Sequence, residues 1–162
     1  MLDLTIELQE EQTQVIAGLP YLTLQLDRHT TVALQLKFVR ETLVLPAERF
    51  MQMPNVDPCL VGLVEHRSNV FWVLDLPQLL GFSPVDTAIS DTHIAILQTG
   101  NMFLGLGTYR IGRVKRIIDA DIRSPTSDSL PPEMIPFLRG WVDDDQKIYI
   151  LDASAIAKLD FR

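Results

Sequence analysis

Two carboxylates are the first candidates for chemistry. Asp75 closes the apolar run Phe71-Trp72-Val73-Leu74, and Asp152 closes Ile148-Tyr149-Ile150-Leu151. Two aspartates presented after matched apolar runs could form a paired-carboxylate hydrolase, in which close carboxyls share one proton. Such a site needs a small residue and a glycine after each aspartate so that the carboxyls can approach; Leu76-Pro77 and Ala153-Ser154 follow instead. Proline in the first turn and Gly81 as a stop make Asp75 a helix N-cap, and Ala153 to Leu159 continue from Asp152 in the same way. The hydrolase therefore stands as an outsider.

The remaining reactive side chains form no set. His29, His66 and His93 are scattered without metal-ligand spacing, so no metal and no cofactor is expected. Cys59 is the only cysteine, which excludes an internal disulfide and favours a reducing compartment. Gly105-Leu106-Gly107 lacks the third glycine of a dinucleotide fingerprint, because Gly112 is out of place. Arg110, Arg113, Lys115 and Arg116 form the one basic cluster. Strict alternation would split it, with Arg113 and Lys115 on one face and Arg110 and Arg116 on the other. With a net charge of −7 and no aromatic platform beside the cluster, nucleic acid is not an expected partner.

The elements that must carry these residues are duplicated. Pro58-Cys59-Leu60-Val61-Gly62-Leu63-Val64-Glu65 is echoed by Pro136-Phe137-Leu138-Arg139-Gly140-Trp141-Val142-Asp143. The prolines (58 and 136) stand 78 positions apart and the aspartates (75 and 152) 77, so the copies stay in step with one deletion in the turn. That period exceeds a solenoid unit and suits a duplicated subdomain. Each half is too small to bury much surface alone, so the halves are expected to share a core.

Leu22, Leu24 and Leu26 alternate with polar residues, as do Val32, Leu34 and Leu36, which predicts a hairpin with one buried face. Short apolar runs follow at 42–45, 61–64, 70–74, 94–97, 102–106, 111–118, 140–142 and 147–151, punctuated by prolines and separated by polar linkers at 83–92 and 123–132. Many short strands point to small β-barrels or a sandwich. Residues 1–19 stand apart as an acidic extension with room for a short helix, their apolar residues taken together following neither period. The start has no basic region ahead of an apolar core, and no apolar run approaches the roughly 18 residues of a membrane span. A soluble, cytoplasmic protein without membrane insertion is expected.

The block from Gly62 to Leu76, followed by Leu79-Leu80-Gly81, resembles the signature of CheW-like domains. Tyr21 to Leu26, Val32 to Leu36, Val39-Arg40-Glu41 and Met53-Pro54 resemble the family's opening. Gly105-Leu106 and the Arg139-Gly140 to Leu151-Asp152 block are similar to its second half. The sequence departs from the family pattern at Glu65, His66, Ser68, Trp72 and Tyr109.

The resemblance implies a single domain over 20–160, with approximate subdomains 20–90 and 91–160. Its expected fold is mainly β: two intertwined five-stranded SH3-like β-barrels around a shared core, with short helices. It implies a non-enzymatic adaptor coupling methyl-accepting chemoreceptors, at their cytoplasmic tip, to the regulatory domain of a CheA-type histidine kinase. The alternative within the fold is a diverged regulator of surface (pilus-type) motility that binds one partner. Arg67 stands at the family's functional arginine, and Val39, Glu41, Leu63 and Val64 are the further partner-binding candidates.

Overall fold

In a computed structural model the described residues are 18–88, 90–125 and 130–159. The acidic extension, apart from Gly18 and Leu19, lies outside them. The strands are β1 (Leu19–Gln25), β2 (Thr31–Gln35), β3 (Val39–Leu45), β4 (Leu60–His66) and β5 (Asn69–Asp75) in the first copy. The second copy supplies β6 (Thr92–Thr99), β7 (Met102–Thr108), β8 (Arg110–Ile117), β9 (Leu138–Asp144) and β10 (Gln146–Leu151). A short helix ends each copy: α1 (Leu76–Leu79) and α2 (Ala153–Ala157).

The copies exchange their leading hairpins. One sheet has the order β8-β1-β2-β10-β9 and the other β3-β6-β7-β5-β4, so each five-stranded sheet combines three strands of one copy with two of the other. The parallel pairs β2–β10 and β5–β7 are the seams of this exchange, and both sheets are mixed.

The expectation of two closed barrels is corrected by this pairing. β8 and β9 are the edges of one sheet, β3 and β4 of the other, and among the described residues no continuous ladder joins either pair. Only single bridges approach closure: Met51 to Leu63 in one sheet and Arg123 to Trp141 in the other. The chain leaves β3 through Pro46 and a 3-10 turn, Ala47–Arg49, and leaves β8 through the 3-10 turn Asp119–Asp121, with Pro125 soon after. Prolines lack the N–H a ladder needs, so each edge strand is left without a continuation that could pair along its opposite edge.

The β1–β2 hairpin buries both faces rather than one. Leu22, Leu24, Val32 and Leu34 enter a core shared between the sheets, together with Leu74, Leu97 and Leu106. The other face, Tyr21 and Ala33, packs with Ile148 and Ile150 in a core of that sheet alone. The second sheet likewise holds Phe71, Val73, Ile94 and Ile96 on its own side. Strands central in a sheet between two apolar layers have no face left for water.

The duplicated motif carries its geometry with it. Asp75 N–H donates to the Cys59 carbonyl at 2.6 Å, and Asp152 N–H to that of Phe137 at 2.8 Å. Two residues join β4 to β5, Arg67 and Ser68, both at positive φ, whereas Asp145 alone joins β9 to β10. The deletion expected in that turn is therefore present. The caps form as expected: Asp75 Oδ1 accepts from Gln78 N at 3.0 Å and Asp152 Oδ1 from Ala155 N at 3.2 Å.

Candidate functional site

Arg67 sits at the tip of the β4–β5 hairpin, where a two-residue turn needs positive φ at both positions. Its φ is 50° and that of Ser68 is 66°. Glycine and asparagine usually occupy such turns, so a side chain with β-carbon strain is retained at the tip. The Arg67 side chain is 73% exposed, and its Nε lies 3.7 Å from Glu41 Oε1. His66 Nε2 lies 3.3 Å from the same oxygen.

Glu41 belongs to β3, on the edge of the sheet opposite β4. The sheet curls around Phe71 and Ile96, and that curl brings its two edges near enough for the contact. Beside it Arg40 lies over the Phe103 ring at 4.8 Å and donates to Gln98 Oε1 at 3.2 Å. An open groove of about 570 Å³ continues from Arg67 past Leu63, Met51, Phe50 and Arg49. Arg49 donates to the Glu65 carbonyl at 3.0 Å, fixing one wall. Met51 and Val70 are mostly exposed, at 58% and 61%.

Of the five residues singled out in the sequence, the structure brings Arg67 and Glu41 together and places Leu63 in the same groove. Leu63 also exchanges backbone hydrogen bonds with Met51, at 2.8 and 2.9 Å. Val39 is half-buried against the shared core. Val64 is buried, among Phe71 and its neighbours. Arg40, Met51 and Phe103 were not singled out. Met51 and Met53 flank Gln52 in a proline-bounded stretch, a signal for soft exposed contact residues.

The candidate reactive groups have structural work instead. Asp75 is buried and spends both oxygens on backbone N–H groups, of Gln78 and of Val85 at 2.9 Å. Burial pushes its carboxyl upward, against the lowering effect of those two bonds. Asp152 is committed to its own helix. The two aspartates are thus helix caps and not a catalytic pair. Burial, then Asp57, pushes the Cys59 thiol up to about 11, far from a reactive thiolate. Among the described residues no group of His, Cys, Asp and Glu is arranged to hold a metal, and no helix is long and apolar enough to cross a membrane.

A bulge changes the basic cluster. Val114 pairs with Leu22 and Ile111 with Leu24, so Gly112 and Arg113 share one step of β1. Arg110, opposite Gln25, therefore falls on the face of Lys115, opposite Tyr21, rather than on that of Arg116.

Comparison with known proteins bears on this arrangement. A family model described as the CheW-like domain matches residues 20–160. No curated protein matches. Among solved structures the chain is similar to the scaffolding protein TtCheW from Thermoanaerobacter tengcongensis. The TM-score is 0.69 at 19% sequence identity, over 83% of this chain and 84% of that one.

Proposed function

Because the chain belongs to the CheW-like domain family, we propose that the Arg67 hairpin and its groove are the surface through which it grips a signalling partner. The protein is a non-enzymatic scaffold of the type that links chemoreceptors to CheA-type kinases in chemotaxis signalling, a cytoplasmic role. The finer reading is that it contacts the kinase's regulatory domain and the helical cytoplasmic tip of methyl-accepting receptors.

One observation carries this reading: a mostly exposed guanidinium on a left-handed turn, beside exposed Met51 and Val70. A forked cation next to apolar side chains suits an interface anchor, since it can hold a carboxylate or carbonyls in fixed geometry while the apolar neighbours exclude water. Glu41 steadies the guanidinium without burying it, so a partner carboxylate can replace it.

Calorimetric titration against a cognate kinase regulatory domain and a receptor-tip fragment tests the proposal. Arg67→Ala should weaken one of the two complexes at least about tenfold, the scale of a modest interface anchor. Unchanged affinity for both partners would remove Arg67 from the interface.

A further inference from the structure

We propose that His66 and Arg67 compete for Glu41, so that protonation of His66 releases the Arg67 guanidinium. The competition is a property of the free protein, and only its consequence for a partner rests on the Arg67 reading.

His66 ends β4 and pairs with Asn69 across the hairpin. With period two along the strand it shares the inward face of Val64, which sets its ring at the mouth of the curled sheet beside Phe71, Ile96 and Phe103. There its Nε2 is shut off from solvent and makes no hydrogen bond among the described residues. Glu41 Oε1 lies 3.3 Å away, too poorly aligned to count as one. A buried, unpaired nitrogen facing a carboxylate oxygen suits a neutral ring badly and an imidazolium well, because the carboxylate offsets its charge.

Arg67 Nε lies 3.7 Å from that same oxygen. Glu41 is the one carboxylate bordering this mouth among the described residues. Arg40, next to it on β3, also borders the mouth but is spent on Gln98 and the Phe103 ring. On the outer side β4 contributes Glu65 and the 3-10 turn contributes Glu48 and Arg49, the last bonded to the Glu65 carbonyl. β5, β6 and β7 present Asn69, Phe71, Ile96 and Phe103, none of them charged. One carboxylate therefore faces two rivals. A proton on His66 neutralises Glu41 and also sets a like charge beside the guanidinium. The histidine contact is the shorter, and its side chain is 22% exposed against 73% for Arg67, so solvent and salt screen it less. Histidine changes charge between about pH 5 and 8, so Arg67 is held at the upper end of that range and freed at the lower. The sequence departs from the CheW-like pattern at His66, which makes the device this chain's own.

The test follows nitrogen relaxation at Arg67 Nε and the ring resonances of His66 in the full chain, from about pH 5.5 to about pH 8. The hindered motion of Arg67 at the upper end should be lost along the same curve on which His66 titrates. In His66→Gln it should persist throughout, and in Glu41→Gln it should be absent throughout. Arg67 motion indifferent to the His66 titration, a pH dependence that survives in His66→Gln, or a His66 ring that does not titrate in this range overturns the proposal. Calorimetry with the receptor-tip fragment and the kinase regulatory domain then reads the consequence. The complex that Arg67→Ala weakens should gain affinity as pH falls across this range, and the gain should shrink in His66→Gln; an undiminished gain overturns the consequence for partners. If Arg67→Ala weakens neither complex, the Arg67 reading fails and the relaxation data alone decide the competition.

Discussion

The Asp75 carboxylate accepts a hydrogen bond from the Val85 backbone at 2.9 Å, in addition to capping α1 through Gln78. Asp152, its counterpart in the second copy, accepts only from Ala155 among the described residues. One aspartate therefore caps a helix, while the other also ties down the linker between the copies.

The two caps should differ in weight. Asp152→Ala should cost about 1 kcal/mol, the usual loss of an N-cap. Asp75→Ala should cost about 2 kcal/mol, because a second backbone donor also loses its partner. Urea unfolding measures both, and equal costs would mean the Val85 bond adds nothing.

The same burial gives Asp75 a pH signature. Its carboxyl is raised in the folded state by desolvation, although the two backbone bonds oppose the rise. A raised carboxyl favours folding below the unfolded value of about 3.9, and this advantage is lost as pH rises through the folded value. Stability of wild type relative to Asp75→Asn should fall as pH is raised above about 4 and then level off. A difference that grows with pH would reverse the sign and show that the backbone bonds dominate.

Gly62 and Gly140 occupy equivalent bulges. A Cβ at Gly62 would lie 2.7 Å from the Met51 carbonyl oxygen, and one at Gly140 would collide with that of Arg123. Alanine at either site should cost about 2 kcal/mol or more and break the bridge at that sheet's edge. Gly100, with φ +59° but nothing near its missing Cβ, should lose only about 1 kcal/mol on the same change. Melting temperatures of the three variants provide the ranking.

Arg67→Gly separates fold from function. Glycine relieves the positive φ of the turn, so stability should hold or rise by up to about 1 kcal/mol. Binding should weaken to the same extent as is expected of Arg67→Ala. If both variants keep full affinity, the hairpin tip is architecture only.

Cys59 should resist alkylation. With its thiol pushed up to about 11, iodoacetamide at pH 8 should modify the folded protein many times more slowly than the urea-unfolded chain. Equal rates would show that the half-buried thiol opens readily.

The sequence alone determined the duplication, the short strands, the two caps and the single deletion in the turn. Each is local: an aspartate before a proline-led turn, or an apolar residue every second position, acts through neighbours a few residues away. Alternation tells which side of a strand is apolar but not which strand lies beside it. Only the tertiary structure decided that β1 and β2 join β10, that their polar-seeming face is buried on Tyr21 and Ala33, and that the sheets curl without closing. The site divides in the same way. Arg67 could be singled out from its own motif, whereas its approach to Glu41 depends on curvature that brings opposite sheet edges together. Val64, two residues from the turn-flanking His66, reads like its surface neighbours but points into the core, because period two along β4 assigns it to Phe71's side. The candidate surface forms where distant edges meet, and that meeting is set by long-range packing that no short stretch of sequence encodes.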